Sequence, residues 1–163
     1  MKNILFLLSV AAMLLCGSCS RESYECDVCV YGGTSAGVIA AYAVAKQGKK
    51  VLLVEPTYRL GGLSSGGLGM TDIGNKQVVK GLSLDFYRRV GAHYGALEQW
   101  IFEPSVAESI FKGYIERGQV EVLYGHRILE AEKQETQITS IKLENTEKFC
   151  GRADVKAKVY IDC

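Results

Sequence analysis

DVCVYGGTSAGVIAAYAVAKQGKKVLLVE, residues 27–55, is the stretch on which the fold turns. Its opening strand, residues 27–31, is carried by a short, uninterrupted apolar run, residues 28–31, which suits a parallel strand buried on both faces. The run enters a glycine turn, Gly32-Gly33-Thr34-Ser35-Ala36-Gly37. Thr34 or Ser35 can cap a helix that extends to about Gln47. The alanines of this helix favour the conformation and allow close packing, and Val38, Ala41, Tyr42 and Ala45 recur at helical spacing. Gly48 stops it. Lys49 and Lys50 lead into a second apolar strand, residues 51–54, closed by Glu55. The spacing predicts a right-handed βαβ unit.

Such a unit is built to hold the diphosphate of an adenine dinucleotide. Gly32 permits a tight turn, Gly37 lets helix and strand approach, and amides at the helix start point at the anion. Thr34 stands where the usual pattern has its middle glycine. Its Cβ is expected to crowd the ligand slightly, and its hydroxyl can donate to a phosphate oxygen. Glu55 lies 23 residues beyond Gly32. That distance suits a carboxylate that accepts from ribose hydroxyls and repels the extra phosphate of NADP. A dinucleotide in turn points to redox chemistry.

Outward from this unit, residues 56–80 hold a second glycine cluster and little periodicity, the mark of a functional loop. Helices are expected over residues 82–94 and 104–117, the second started by Pro104 and stopped by Gly118. Residues 120–124 read as a third strand. Residues 128–132, 137–143 and 156–161 read as a small antiparallel ribbon.

Composition agrees with one globular domain. The chain has 163 residues, 48% hydrophobic and 23% charged, with net charge +1, so nothing in it argues for nucleic acid. Residues 1–18 read as a secretory signal, with an apolar stretch too short to span a bilayer comfortably. Gly17 and Ser18 before Cys19 resemble a bacterial lipoprotein signal, although Cys16 departs from the usual Leu. Cys19 is then the lipidated residue, the chain is exported and membrane-anchored, and residues 19–26 form a tether. Ordinary export and an uncleaved anchor are the other readings. The remaining cysteines, Cys26, Cys29, Cys150 and Cys163, allow three disulfide pairings. Cys26 and Cys29 have CxxC spacing, but they bracket a strand start and no second pair or histidine completes a zinc set. His93 and His126 read as ordinary surface or half-buried residues, and Asp72 as a turn residue.

The second cluster, Arg59-Leu60-Gly61-Gly62-Leu63-Ser64-Ser65-Gly66-Gly67-Leu68-Gly69, is more than a simple nicotinamide dehydrogenase needs. Together with residues 32–37, Glu55-Pro56-Thr57 and Thr71-Asp72, it resembles FAD-dependent oxidoreductases of the glutathione-reductase-like fold. The likeness is to an often exported bacterial family whose members sometimes carry a xanthan lyase label. No Tyr, His or Arg constellation suited to β-elimination supports that label. The resemblance covers residues 27–163. It implies an α/β, Rossmann-like FAD-binding domain with a parallel sheet plus the antiparallel ribbon. It also implies that Gly32, Gly33, Thr34, Ser35, Ala36 and Gly37 hold the FAD diphosphate and Glu55 and Pro56 flank the ribose. Arg59, Gly61, Gly62, Leu63, Ser64 and Ser65 then run along the flavin half, and the Val122 backbone meets adenine. Residues 159–163 resemble the strand that leads, in this family, to a Gly-Asp element. The chain is therefore expected to be a truncated N-terminal portion lacking the substrate domain, inactive alone and a weak FAD binder. No catalytic residue or substrate is legible. An NAD-binding dehydrogenase domain and a non-catalytic anchored remnant are the competing readings.

Overall fold

The computed structural model describes residues 21–147 and 151–163. The expected signal, the lipidation site Cys19, and Cys150 lie outside them. Among the described residues no helix is long and apolar enough to cross a membrane.

The βαβ unit forms as its sequence dictates. Strand β1 (Arg21–Tyr31) runs into α1 (Ser35–Ala45), and the chain returns as β2 (Val51–Glu55), parallel to β1 and buried throughout. A one-turn helix α2 (Leu63–Gly66) interrupts the second glycine cluster. Helices α3 (Gly81–His93) and α4 (Pro104–Gly118) then carry the chain to β3 (Glu121–Tyr124), parallel to β2. Strands β4 (His126–Gln134), β5 (Gln137–Asn145) and β6 (Arg152–Asp162) complete one six-stranded sheet ordered β3-β2-β1-β6-β5-β4.

One expectation needs correcting. Residues 21–26 are not a tether: they are the first half of β1, paired in parallel register with β6 from Arg21↔Arg152 to Cys26↔Ala157. An ion pair between Arg21 and Asp154 fastens the start, with Nη2 2.7 Å from Oδ1. The antiparallel ribbon forms as its sequence predicts and is continuous with the parallel strands. Strand β6 pairs with β1 on one side and with β5 on the other through residues 152–155, so the ribbon continues the main sheet.

The sheet buries apolar side chains on both faces. Val28, Val30, Val51 and Leu53 pack against α1, α3 and α4. Cys29, Leu52 and Val54 pack against Ile141, Leu143, Ala153 and Val155. The ribbon therefore covers the face that the helices leave bare, and Thr146 ties it to the β3–β4 turn through a 2.7 Å bond from its amide to the Gly125 carbonyl. Cys26 and Cys29 are free thiols, and burial pushes Cys29 up to about 12, the opposite of a reactive redox thiol. No metal-ligating cluster exists among the described residues.

Helices α3 and α4 are fastened by a polar cluster as well as by apolar packing. The fully buried Tyr114 donates to Asp85 Oδ2 at 2.6 Å, and Arg89 Nε donates to the same oxygen at 2.7 Å. Arg89 and Arg117 lie over the Tyr114 ring at 5.1 and 5.0 Å. Burial raises the Asp85 carboxyl pKa, but the bonds from Tyr114 and Arg89 outweigh it and hold the group below its ordinary value. The Asp85 side chain is 40% exposed, so Asp85→Asn is expected to cost only about 1 kcal/mol near neutral pH. A carboxyl with a depressed folded pKa contributes stability above its unfolded pKa, about 3.9, and loses it as pH falls through the folded value. Melting curves of the two proteins should differ by a constant amount from neutral pH to about pH 4 and converge below it. A gap that closes above about pH 5 would contradict the assignment.

Candidate cofactor site

The first glycine cluster sits where β1 meets α1. Gly32 turns the chain at φ 97°, and its amide donates to the Val54 carbonyl at 2.8 Å, which ties the turn to the end of β2. Gly33 donates its amide to Glu55 Oε2 at 2.6 Å. Thr34 caps α1: its Oγ1 accepts from the Gly37 amide at 3.1 Å and its carbonyl from Val38 at 2.9 Å. The Ala36 amide has no acceptor among the described residues. A donor is thus free at the positive end of an eleven-residue helix. Because Thr34 uses a lone pair for its cap, its hydroxyl proton stays available to an anion.

Glu55 is buried, 7% exposed, and its carboxylate is held at both oxygens. Oε2 accepts from Gly33, and Oε1 accepts from the Thr57 amide at 2.7 Å and the Thr57 hydroxyl at 2.6 Å. The second glycine cluster folds over this turn. Gly61 donates to the Gly33 carbonyl at 2.7 Å and pairs with Thr34 as a short parallel bridge.

These elements leave a cleft of about 430 Å³ lined by Tyr31, Gly32, Thr34, Glu55, Pro56 and Thr57 at one end. Arg59, Gly62, Gly66 and Cys163 complete it. A second hollow, about 290 Å³, is bordered by Ser35, Ala36, Ser64 and Ser83 together with Phe86 and Phe111. The residues singled out by the sequence therefore divide. Gly32, Thr34, Glu55, Pro56, Arg59 and Gly62 line the cleft, and Ser35, Ala36 and Ser64 line the hollow. Gly33, Gly37, Gly61 and Ser65 form the buried frame.

Three placements depart from the even run of contacts expected along the second cluster. The Ser65 hydroxyl turns inward to the Leu60 carbonyl at 2.5 Å, and Leu63 is 73% exposed. Arg59 is committed to its own chain, with Nη2 2.7 Å from the Ser65 carbonyl and 3.0 Å from Glu108 on α4. Lys112 and Arg59 together hold the Glu108 carboxyl below its ordinary range. Val122 lies in the edge strand opposite Leu53, packs against the helix-side core, and is not among the cleft residues. Sequence reasoning gave no site role to Tyr31, Thr57, Gly66 or Cys163, all of which line the cleft. For Thr57 a signal existed, since a side-chain oxygen that bonds the backbone two residues on is a common turn device. Cys163 reaches the cleft because its amide extends the β1–β6 pairing to the Tyr31 carbonyl at 2.9 Å. Neither histidine enters the site. His126 is buried with Nδ1 2.7 Å from the Tyr124 carbonyl, and His93 is exposed beside Tyr94.

A helix start with a free amide, a hydroxyl proton, and a buried carboxylate at the end of the adjacent strand fit the diphosphate and ribose of an adenine dinucleotide. Residues 27–163 match the model of one family, described as FAD dependent oxidoreductase. The chain belongs to that family. FAD is thus the cofactor, and the chain is the FAD-binding portion of such a protein.

Solved structures share the fold. Thermovibrio ammonificans THI4 is 15% identical with a TM-score of 0.59, over 100% of this chain and 65% of that one. The 3-ketosteroid-delta4-(5alpha)-dehydrogenase of Rhodococcus jostii RHA1 is 14% identical with a TM-score of 0.58, over 91% and 47%. A flavin-dependent brominase is 16% identical with a TM-score of 0.61, over 85% and 38%. At such identities the likeness speaks for the fold alone, and the chain spans between about two fifths and two thirds of these three proteins. No curated protein matches the chain.

Proposed function

We propose that the cleft at the ends of β1, β2 and β6 holds the AMP half of FAD, in an enzyme that moves hydride or electrons through the flavin to a small-molecule substrate. One observation supports this most: the Glu55 carboxylate and the unpaired amide at the start of α1 flank a single glycine turn. In this reading Glu55 accepts from the adenosine ribose. The Ala36 amide and the Thr34 hydroxyl donate to the diphosphate, and Gly32 keeps the turn clear of it. The hollow beside Ser35 and Ser64 continues the path toward the flavin half. Bound FAD supplies the redox chemistry at its ring. The residues described here bind and orient it; none is placed as an acid or base.

Titration of the purified chain with FAD, followed by flavin absorbance and fluorescence, tests the reading. Saturable spectral change, reversed by ADP, is the expected result. No saturable change, or one that ADP leaves untouched, would remove the assignment of the cleft.

A further inference from the structure

Thr57 makes more bonds to the site than any neighbour that lacks a role. Its amide and its hydroxyl both donate to Glu55 Oε1, at 2.7 and 2.6 Å, and its hydroxyl oxygen accepts from the Arg59 amide at 3.2 Å. With the Gly33 amide on Oε2, the carboxylate accepts three hydrogen bonds from its own chain. A carboxylate has about four acceptor positions, so about one is left, and it lies on Oε2. Oε1 is saturated. Rotation of the carboxylate would break all three bonds together, and the group is buried, so the arrangement is rigid before any ligand arrives.

We infer that Thr57 is a positioning residue for nucleotide recognition: it pins Glu55 so that Oε2 alone reads one ribose hydroxyl. The inference rests on the reading of the cleft given above and adds a specificity device to it. A pinned single acceptor discriminates sharply between a ribose that offers the hydroxyl and one that does not, because the carboxylate cannot turn to find another donor. A loosened carboxylate can turn, and it discriminates poorly.

Calorimetric titration of the chain with ADP and with 2′-deoxy-ADP measures this as a ratio of affinities. The wild-type chain should favour ADP by about tenfold, the worth of one hydrogen bond to a charged group. Thr57→Val removes the hydroxyl, keeps the amide and nearly keeps the volume; its ratio should fall to about twofold, while Thr57→Ser, which restores the hydroxyl, should keep the wild-type ratio. A merely structural Thr57 would weaken both nucleotides together and leave the ratio intact, which overturns the inference. Thr57→Ala carries the same comparison if the valine variant fails to fold. The outcomes separate cleanly. A wild-type chain that binds neither nucleotide defeats the cleft assignment and the inference with it. A wild-type chain that discriminates, beside a Thr57→Val chain that discriminates equally, defeats the inference alone.

Discussion

Gly37→Ala should lower the melting temperature by roughly 6–12 °C, the consequence of about 3 kcal/mol of lost stability in a chain of this size. A Cβ at Gly37 would stand 1.9 Å from the Gly32 carbonyl oxygen and 3.2 Å from the Cys163 Cβ. The first contact is with backbone, which cannot swing aside as a flexible side chain can. Relief requires α1 to withdraw from the turn between β1 and α1. That withdrawal uncouples Thr34 from the Gly37 amide it caps and shifts the Ala36 amide relative to the glycine turn, so ADP affinity should fall at least tenfold alongside the stability. Gly113→Ala is the control. It lies inside α4, where an added Cβ meets nothing closer than the end of Arg117 at 3.9 Å. Alanine there should leave stability unchanged or raise it by up to about 1 kcal/mol. Thermal melts of both variants decide the matter, and equal melting temperatures would show that α1 can move without cost.

The difference between these two glycines was legible in the sequence only in part. Gly37 belongs to a spacing that means close approach wherever a strand precedes and a helix follows, so its role could be read before any coordinate. The same holds for residues 27–55 as a whole, where apolar period, helix cap and stop signal agree; α1 and β2 lie within two residues of where their sequence puts them. The first half of β1 was not legible. Arg21, Glu22 and Ser23 are polar and exposed, and nothing local marks them as strand. They are extended because β6, 131 positions away in register, offers them a parallel partner and Asp154 offers Arg21 a counter-ion. Ribbon and main sheet joined for the same reason, through pairings that no short window contains. In the site, residue types that act through the backbone were found from spacing, whereas side chains whose partners are distant were not. Arg59 lines the cleft, but its guanidinium is claimed by Glu108 from α4, and the Ser65 hydroxyl is claimed by the Leu60 carbonyl, partners that an even reading of the cluster does not suggest.

Glu55→Ala should be the most damaging single change for nucleotide binding. The substitution strips the acceptor from the buried Gly33 amide and from the half-buried Thr57 amide and hydroxyl. An unsatisfied buried donor costs about 1–3 kcal/mol, and water entering the vacated space offsets part of it, so a net loss of about 2–3 kcal/mol is expected. For the ligand the loss is separate: a hydrogen bond to a charged acceptor, worth about 1.5–3 kcal/mol, disappears, and ADP affinity should drop by about 10- to 100-fold. Glu55→Gln distinguishes the two effects. It keeps the volume and an oxygen acceptor, so it should melt closer to the wild type than Glu55→Ala does. It also lacks the charge that repels a ribose phosphate, so 2′-phospho-ADP should gain on ADP relative to the wild-type ratio. If Glu55→Ala bound ADP as tightly as the wild-type chain, or if the glutamine variant left the 2′-phosphate preference unmoved, the carboxylate would be a brace for the turn between β1 and α1 and not a reader of the nucleotide. The two outcomes follow from one geometric fact, that the same carboxylate which holds the glycine turn in shape also borders the cleft.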